Sequence, residues 1–166
     1  MGKTNLQLAR NDSIGRVAPR RAVASAAALP KALKPAAAAV QELDDHFIVR
    51  DGVRCAGAHL IVDLYDSEKL DDIDHIDAAL RRCVEAAGAT LLHIHLHHFE
   101  PNGGVSGVAV LAESHISIHT WPERGYAAID IFMCGSAKPD KCVPVLRQAF
   151  TPKQTAVSEL LRGTAA

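Results

Sequence analysis

Apolar and polar residues alternate in five stretches of the chain between residues 58 and 134, and this periodicity predicts five β-strands. Each stretch has aliphatic side chains on one side and polar or reactive side chains on the other. The stretches read HLIVDLY, ATLLHIHLHHF, VSGVAVLAE, HISIHT and YAAIDIFMC. The pattern therefore predicts a sheet with one face in a hydrophobic core and the opposite face carrying histidine, serine, aspartate and cysteine.

Two further stretches have the three- and four-residue apolar periodicity of helices. The first runs from about residue 72 to 87, with acidic residues in its first turn and Gly88 suited to its C-terminal cap. The second is predicted from about residue 139 to 150, where Pro144 fits only in the first turn. Two helices on one face of an antiparallel sheet make an α/β two-layer sandwich. The other face needs a partner or a ligand, so we predict a homodimer through or beside it.

In the second alternating stretch, Leu92, Ile94 and Leu96 are predicted on the aliphatic side. His93, His95 and His97 are predicted on the opposite side. A His-x-His pair on a strand can hold zinc, but a zinc site also needs a third ligand and supporting hydrogen bonds. We interpret these histidines as part of a polar sheet face or interface and predict no metal site.

Composition divides the chain into three parts. Residues 1–55 are predicted to be a basic, alanine-rich extension with little apolar surface to bury, which favours disorder. Its Arg-rich, acid-poor character also resembles an organelle transit peptide. Residues 56–150 form the predicted domain. Residues 151–166 are expected to be a poorly ordered tail with a short helix near Leu160.

Net charge and cysteine content limit the classes of function that this protein can have. A net charge of -1 gives no overall field that would attract nucleic acid or an anionic membrane, and no apolar run is long enough to span a bilayer. No Gly-rich phosphate loop or nucleotide fingerprint is present. The cysteines lack CxxC spacing, so we expect free thiols in a reducing, cytoplasmic compartment. These cysteines are Cys55, Cys83, Cys134 and Cys142.

The densest chemistry lies in the stretch LAESHISIHTWPERGYAAIDIFMCG, residues 111–135. Ser114 and His115 first indicate a nucleophile pair, but no Gly-x-Ser-x-Gly elbow or oxyanion-hole segment accompanies them, so a hydrolase is weakly supported. Alternatively, a serine at a strained turn attacks the carbonyl of the residue before it, here Glu113. β-Elimination of the resulting ester splits the chain and leaves a ketoacid cap. The residue types alone leave both readings open.

The longer run GVSGVAVLAESHISIHTWPERGYAAIDIFMCG resembles the signature of prokaryotic S-adenosylmethionine decarboxylases, which are pyruvoyl-dependent enzymes of polyamine biosynthesis. The similarity extends through HLIVDLYD and the helix ending VEAAGAT to the last helix, over residues 56–150. The resemblance implies a zymogen that undergoes autocatalytic cleavage. Its product is a lyase that converts S-adenosylmethionine to decarboxylated S-adenosylmethionine and CO2 for spermidine biosynthesis.

The resemblance also implies roles for individual residues. Ser114 matches the serine that becomes the pyruvoyl group and forms the Schiff base with the substrate, after cleavage between Glu113 and Ser114. His119 matches the proton acceptor of processing, and Ser106 matches a serine that assists it. Cys134 matches the cysteine that protonates the product carbon. Each residue singly suits a structural role, but their joint order and spacing favour the catalytic one.

The same family resemblance implies which residues bind the substrate. Phe99 matches the aromatic residue that stacks on adenine, and Trp121 and Glu123 belong to the turn that lines the site. Two alternatives stay open. The same pyruvoyl chemistry can act on ornithine or arginine, because the electron sink does not depend on the substrate's side chain. The chain can also be an unprocessed metal-binding or regulatory homodimer.

Overall fold

The computed structural model describes residues 46–165, which contain eight β-strands and two α-helices. The strands are β1 Ile48–Arg50, β2 Val53–Cys55, β3 Gly57–Tyr65, β4 Leu91–His98, β5 Val105–Leu111, β6 Ser114–Trp121, β7 Tyr126–Met133 and β8 Gln154–Arg162. β1 and β2 pair with each other, and the other six strands form one antiparallel sheet in the order β4-β5-β6-β7-β3-β8. All five predicted strands are therefore present.

The two predicted helices are also present, as α1 Ile73–Ala87 and α2 Cys142–Phe150. The Asp72 side chain caps α1 by accepting a backbone hydrogen bond, and Gly88 ends the helix with a φ of 71°. Pro144 lies in the first turn of α2, where its missing N–H disrupts no helical hydrogen bond. In this part of the chain, neither helix is long and apolar enough to cross a membrane.

One face of the sheet carries the hydrophobic core. Alternate side chains of the central strands are buried there together with one side of each helix. From β3, β6 and β7 the buried set includes Leu60, Val62, Leu64, Ile116, Ile118, Ile129, Ile131 and Met133. The α/β two-layer sandwich is thus confirmed, and the polar side chains of the same strands lie on the outer face, which neither α1 nor α2 covers.

Leu92 is an exception to the predicted alternation. Its side chain is 64% exposed, whereas Ile94 and Leu96 pack against the core as predicted. The pairing of β4 with β5 shifts register between Leu91 and His93, so one residue is inserted in β4 and Leu91 takes the core position instead. The prediction for Leu92 was wrong because a β-bulge reverses the side of every residue before it.

The C-terminal segment is a correction to the sequence prediction. Residues 154–162, expected to be a poorly ordered tail with a short helix, form edge strand β8 along the whole of β3. Most of its side chains are exposed, so its sequence lacks the alternation of a half-buried strand. Backbone pairing with β3, rather than side-chain burial, defines the conformation of this segment.

The N-terminal boundary also differs from the prediction. Residues 46–55, assigned by composition to a disordered extension, include the hairpin of β1 and β2. Its two-residue loop, Asp51 and Gly52, has φ values of 51° and 80°, as a type I′ turn requires. Residues 1–45, with the predicted disorder or transit peptide, lie outside the described residues.

The four cysteines are free thiols, as predicted. Cys83 and Cys142 face each other in the core, with each thiol donating to the other's backbone carbonyl. The contact with Cys142, aided by burial, raises the pKa of the Cys83 thiol. Cys134 differs from the other three because it is partly exposed at the end of β7.

Candidate functional site

The peptide bond predicted to break lies in the turn between β5 and β6. The two strands pair as far as Leu111 and Ser114, which leaves Ala112 and Glu113 as a two-residue turn. Glu113 has a φ of 61°, a left-handed conformation that costs a residue with a Cβ atom roughly 1–2 kcal/mol. The Ala112 N–H donates to the carbonyl of Thr90 at 2.9 Å. The bond after Glu113 therefore lies next to a strained residue whose turn is held by a neighbouring loop.

Cys134 contacts both sides of this bond. The register of β6 and β7 pairs His115 with Phe132, so its continuation brings Cys134 opposite Glu113. The Cys134 thiol donates to the Glu113 carbonyl oxygen at 3.0 Å, and the Cys134 backbone N–H donates to Ser114 Oγ at 3.3 Å. Ser114 is only 8% exposed, and its Oγ lies 3.7 Å from Cys134 Sγ. A hydroxyl, a polarised carbonyl and a thiol thus surround one peptide bond.

Ser106 and His119 form a separate pair. They are direct neighbours across β5 and β6, and Ser106 Oγ lies 2.8 Å from His119 Nδ1. His119 comes five residues after Ser114 on the same strand, a separation of about 17 Å along β6. Ser114 shares its buried side with Ile116 and Ile118, whereas His119 is on the exposed side. Within one chain, the structure does not bring this pair to Ser114.

The three residues expected to bind substrate lie together beside this second pair. Phe99, Trp121 and Glu123 line a cleft of about 340 Å³ that also includes Ser106. The Trp121 ring lies 6.3 Å from the His119 ring, centre to centre. Phe99 and Trp121 are 48% and 41% exposed, so both keep surface available for stacking on a planar ligand.

The middle of the outer sheet face holds a network of polar side chains. Ser117 donates to Asp130 at 3.2 Å, and His59 Nε2 lies 3.4 Å from the same carboxylate without forming a well-oriented hydrogen bond. Burial, aided by the nearby His59, lowers the pKa of His115, and Asp130 partly opposes this shift. His59, His115 and Phe132 border a cleft of about 400 Å³. No group of three or more metal-binding side chains within residues 46–165 is arranged to hold a metal ion.

His46 is a site residue that the sequence reasoning missed. Its Nδ1 lies 2.8 Å from the Glu113 carboxylate, and its carbonyl accepts a hydrogen bond from the Gly135 N–H at 2.8 Å. It lines a cleft of about 220 Å³ together with Glu113 and Cys134. The Asp-Gly pair at residues 51–52 predicts a hairpin just after it, and that signal indicates order in this segment.

Fold and site together define an α/β two-layer protein in which a buried serine follows a strained turn of the sheet and contacts a cysteine. Residues 58–163 match the family model described as S-adenosylmethionine decarboxylase. The chain belongs to the S-adenosylmethionine decarboxylase family, which confirms the resemblance drawn from its sequence.

Named relatives agree with this assignment. The S-adenosylmethionine decarboxylase proenzyme of Thermomicrobium roseum is 44% identical over 112 residues, covering 67% of this chain and 97% of that protein. The proenzyme of Methanococcus maripaludis is 48% identical over 110 residues, covering 64% and 89%. The crystal structure of the adenosylmethionine decarboxylase from Aquifex aeolicus is similar with a TM-score of 0.60 at 35% identity, covering 66% of this chain and 92% of that one.

Proposed function

We propose that this chain is a self-cleaving proenzyme whose mature form decarboxylates S-adenosylmethionine, making the aminopropyl donor for spermidine biosynthesis. Membership of the family supports the reaction. The observation that carries the proposal is the contact of the Cys134 thiol with the Glu113 carbonyl, in a strained turn that also contains Ser114. Four unpaired thiols suit a reducing compartment, and we place the enzyme in the cytoplasm.

Self-cleavage begins at the Glu113 carbonyl carbon. Ser114 Oγ attacks this carbon, the C–N bond to Ser114 breaks, and the hydroxyl proton passes to the released nitrogen. The thiol of Cys134, at 3.0 Å from the carbonyl oxygen, stabilises the negative charge that develops there. Release of strain at Glu113 also favours the step, because the left-handed conformation need not persist once the peptide bond is gone.

The ester is then cut by β-elimination. Removal of the Ser114 Cα proton breaks the Cβ–Oγ bond, so Glu113 leaves with a free carboxylate and residue 114 keeps an enamine. Tautomerisation and hydrolysis release ammonia and leave a pyruvoyl group at the start of the second fragment. The sequence consumes one water molecule and needs no oxidant. Proton removal requires a base, and His119 with its partner Ser106 is our candidate.

In the decarboxylation, the pyruvoyl group supplies a ketone that takes up the electrons released as CO2 leaves an α-amino acid. The chain's own residues bind the substrate and move the proton. Phe99 and Trp121 offer ring surface for adenine, and Glu123 offers a carboxylate to a cationic or hydroxyl-bearing ligand. Cys134 donates a proton to the product carbon, since its thiol lies at the Glu113 carbonyl, directly beside residue 114.

The separation of the two groups of residues supports a homodimer. Ser114 and Cys134 lie at one end of β6, and Ser106 and His119 lie about 17 Å along the strand on the opposite face. A second copy, related by a two-fold axis and packed on the outer face, supplies its own His119 to the Ser114 turn, and the two sites are equivalent. The outer face also exposes apolar side chains that such packing would cover. They include Ile61, Val110 and Leu160.

Intact-mass spectrometry tests the cleavage. We expect two fragments, one ending at a free Glu113 carboxylate and one beginning with residue 114 without an amino group. Ser114→Ala leaves the chain whole, whereas the matched variant Ser117→Ala, on the outer side of the same strand, is cut as in the wild type. A wild-type chain that stays intact with bound metal after long incubation would overturn the proposal and favour the metal-binding alternative.

A substrate panel tests the reaction. CO2 release from carboxyl-labelled S-adenosylmethionine, ornithine and arginine is measured with cleaved protein. We expect release from S-adenosylmethionine alone and a raised KM in Phe99→Ala and Trp121→Ala, because both rings line the cleft. Activity on ornithine or arginine would support the pyruvoyl chemistry but would contradict S-adenosylmethionine as the substrate.

A further inference from the structure

The segment before the family match contacts the cleavage turn. The matched region begins at residue 58, whereas His46 and the β1–β2 hairpin precede it. His46 Nδ1 lies 2.8 Å from the Glu113 carboxylate, and both side chains are about half exposed, at 42% and 50%. His46 has a φ of 54°, so its backbone, like that of Glu113, lies in the left-handed region. The contact therefore joins two residues with strained backbones.

The backbone of His46 is held at the same place. Its carbonyl accepts from the Gly135 N–H at 2.8 Å, and Gly135 directly follows Cys134. Gly135 has a φ of 59°, which turns the chain away after β7. One residue of the extension therefore bridges the two strand ends that carry the Glu113 carbonyl and the Cys134 thiol.

The hairpin that follows His46 is anchored on the domain. Arg50 forms an ion pair with Glu159 of β8 at 3.0 Å. Cys55 is completely buried, and the next residue, Ala56, donates its N–H to the Arg162 carbonyl at 2.8 Å. The contact of His46 with Glu113 is thus made from a segment that is fixed at several points.

We propose that His46 is a positioning residue for self-cleavage, which holds Glu113 in its left-handed conformation and keeps the Glu113 carbonyl against the Cys134 thiol. The same contact retains Glu113 after cleavage, when it becomes the end of the first fragment and carries a second carboxylate. The inference rests on the proposed function, because it concerns the rate of the proposed cleavage.

The rate of appearance of the second fragment, followed by mass spectrometry in freshly synthesised full-length chain, tests this role. We expect His46→Ala to slow cleavage by about two- to five-fold, the range that one partly exposed polar side-chain contact supplies. His46→Asn should restore the rate, because its amide nitrogen replaces Nδ1 and asparagine tolerates a positive φ. Arg81→Ala, which breaks an exposed ion pair with Asp77 on α1, is the matched control and should cleave normally.

A double-mutant cycle separates positioning from general stability. In a Glu113→Ala background, His46→Ala should have a smaller effect on the rate than in the wild type, because the side chain that His46 contacts is already gone. An unchanged effect in that background, equal rates of His46→Ala and wild type, or no recovery in His46→Asn would each overturn the inference. If the wild-type chain is never cut, it is the proposed function that fails.

Discussion

Mixing two inactive variants tests whether one chain completes the site of another. Ser114→Ala removes the nucleophile, and His119→Ala removes the proposed base. Each variant alone should stay uncleaved, since every site in its dimer lacks one group. In a mixed dimer, the Ser114 of the His119→Ala chain meets the intact His119 of the Ser114→Ala chain, and that one site is complete.

The expected yield follows from the geometry. His119 is about 17 Å from Ser114 along β6 and on the opposite face. The His119 of a chain therefore cannot act as the base for the Ser114 of the same chain. With equal amounts and random pairing, about half of the His119→Ala chains have a Ser114→Ala partner in a two-fold dimer. We therefore expect about half of the His119→Ala chains to be cut and none of the Ser114→Ala chains.

The assay is co-expression of the two variants with tags of different mass, followed by intact-mass spectrometry. Native mass spectrometry checks that mixed dimers form. Mixed dimers without any cut chain would refute the shared site, and so would a His119→Ala protein that cleaves at the wild-type rate by itself. A wild-type protein that stays monomeric at all micromolar concentrations would refute the proposed dimer.

Three further predictions concern stability and titration. Thr120→Val removes a buried hydroxyl that donates to one backbone carbonyl and accepts from one backbone N–H, and we expect urea unfolding to show a loss of about 2–5 kcal/mol. Gly107→Ala would place a Cβ against the His95 carbonyl oxygen, well inside van der Waals contact, so thermal unfolding should show a loss of about 1–3 kcal/mol. An unchanged melting temperature would contradict this crowding. The hydrogen bond to Asp63 raises the pKa of Tyr126 to about 12. The stability that this hydrogen bond gives the folded protein is therefore complete below about pH 10 and is lost as the pH rises through about 12. Asp63→Asn should return the tyrosinate absorbance titration toward pH 10, and an unmoved midpoint would contradict this cause.

Local periodicity predicted most of the fold because most of these elements bury one side. β3, β6 and β7 alternate cleanly, and both helices have an apolar stripe. Leu92 was assigned to the wrong side because a bulge depends on the pairing with β5, which periodicity does not contain. β8 was missed because an edge strand held by backbone hydrogen bonds needs no alternation. The β1–β2 hairpin was missed although its Asp-Gly turn is readable in the sequence.

By itself, the sequence determined the two-layer architecture and the residues of the family's motif, because both depend on residue type and spacing along the chain. The tertiary structure decided how those residues are grouped. Register brings Cys134 to the Glu113 carbonyl and pairs Ser106 with His119, while strand alternation separates Ser114 from His119 on opposite faces. It also decided that His46, from outside the family match, reaches the same turn. Such contacts join residues far apart in the chain, and only packing fixes which of them meet.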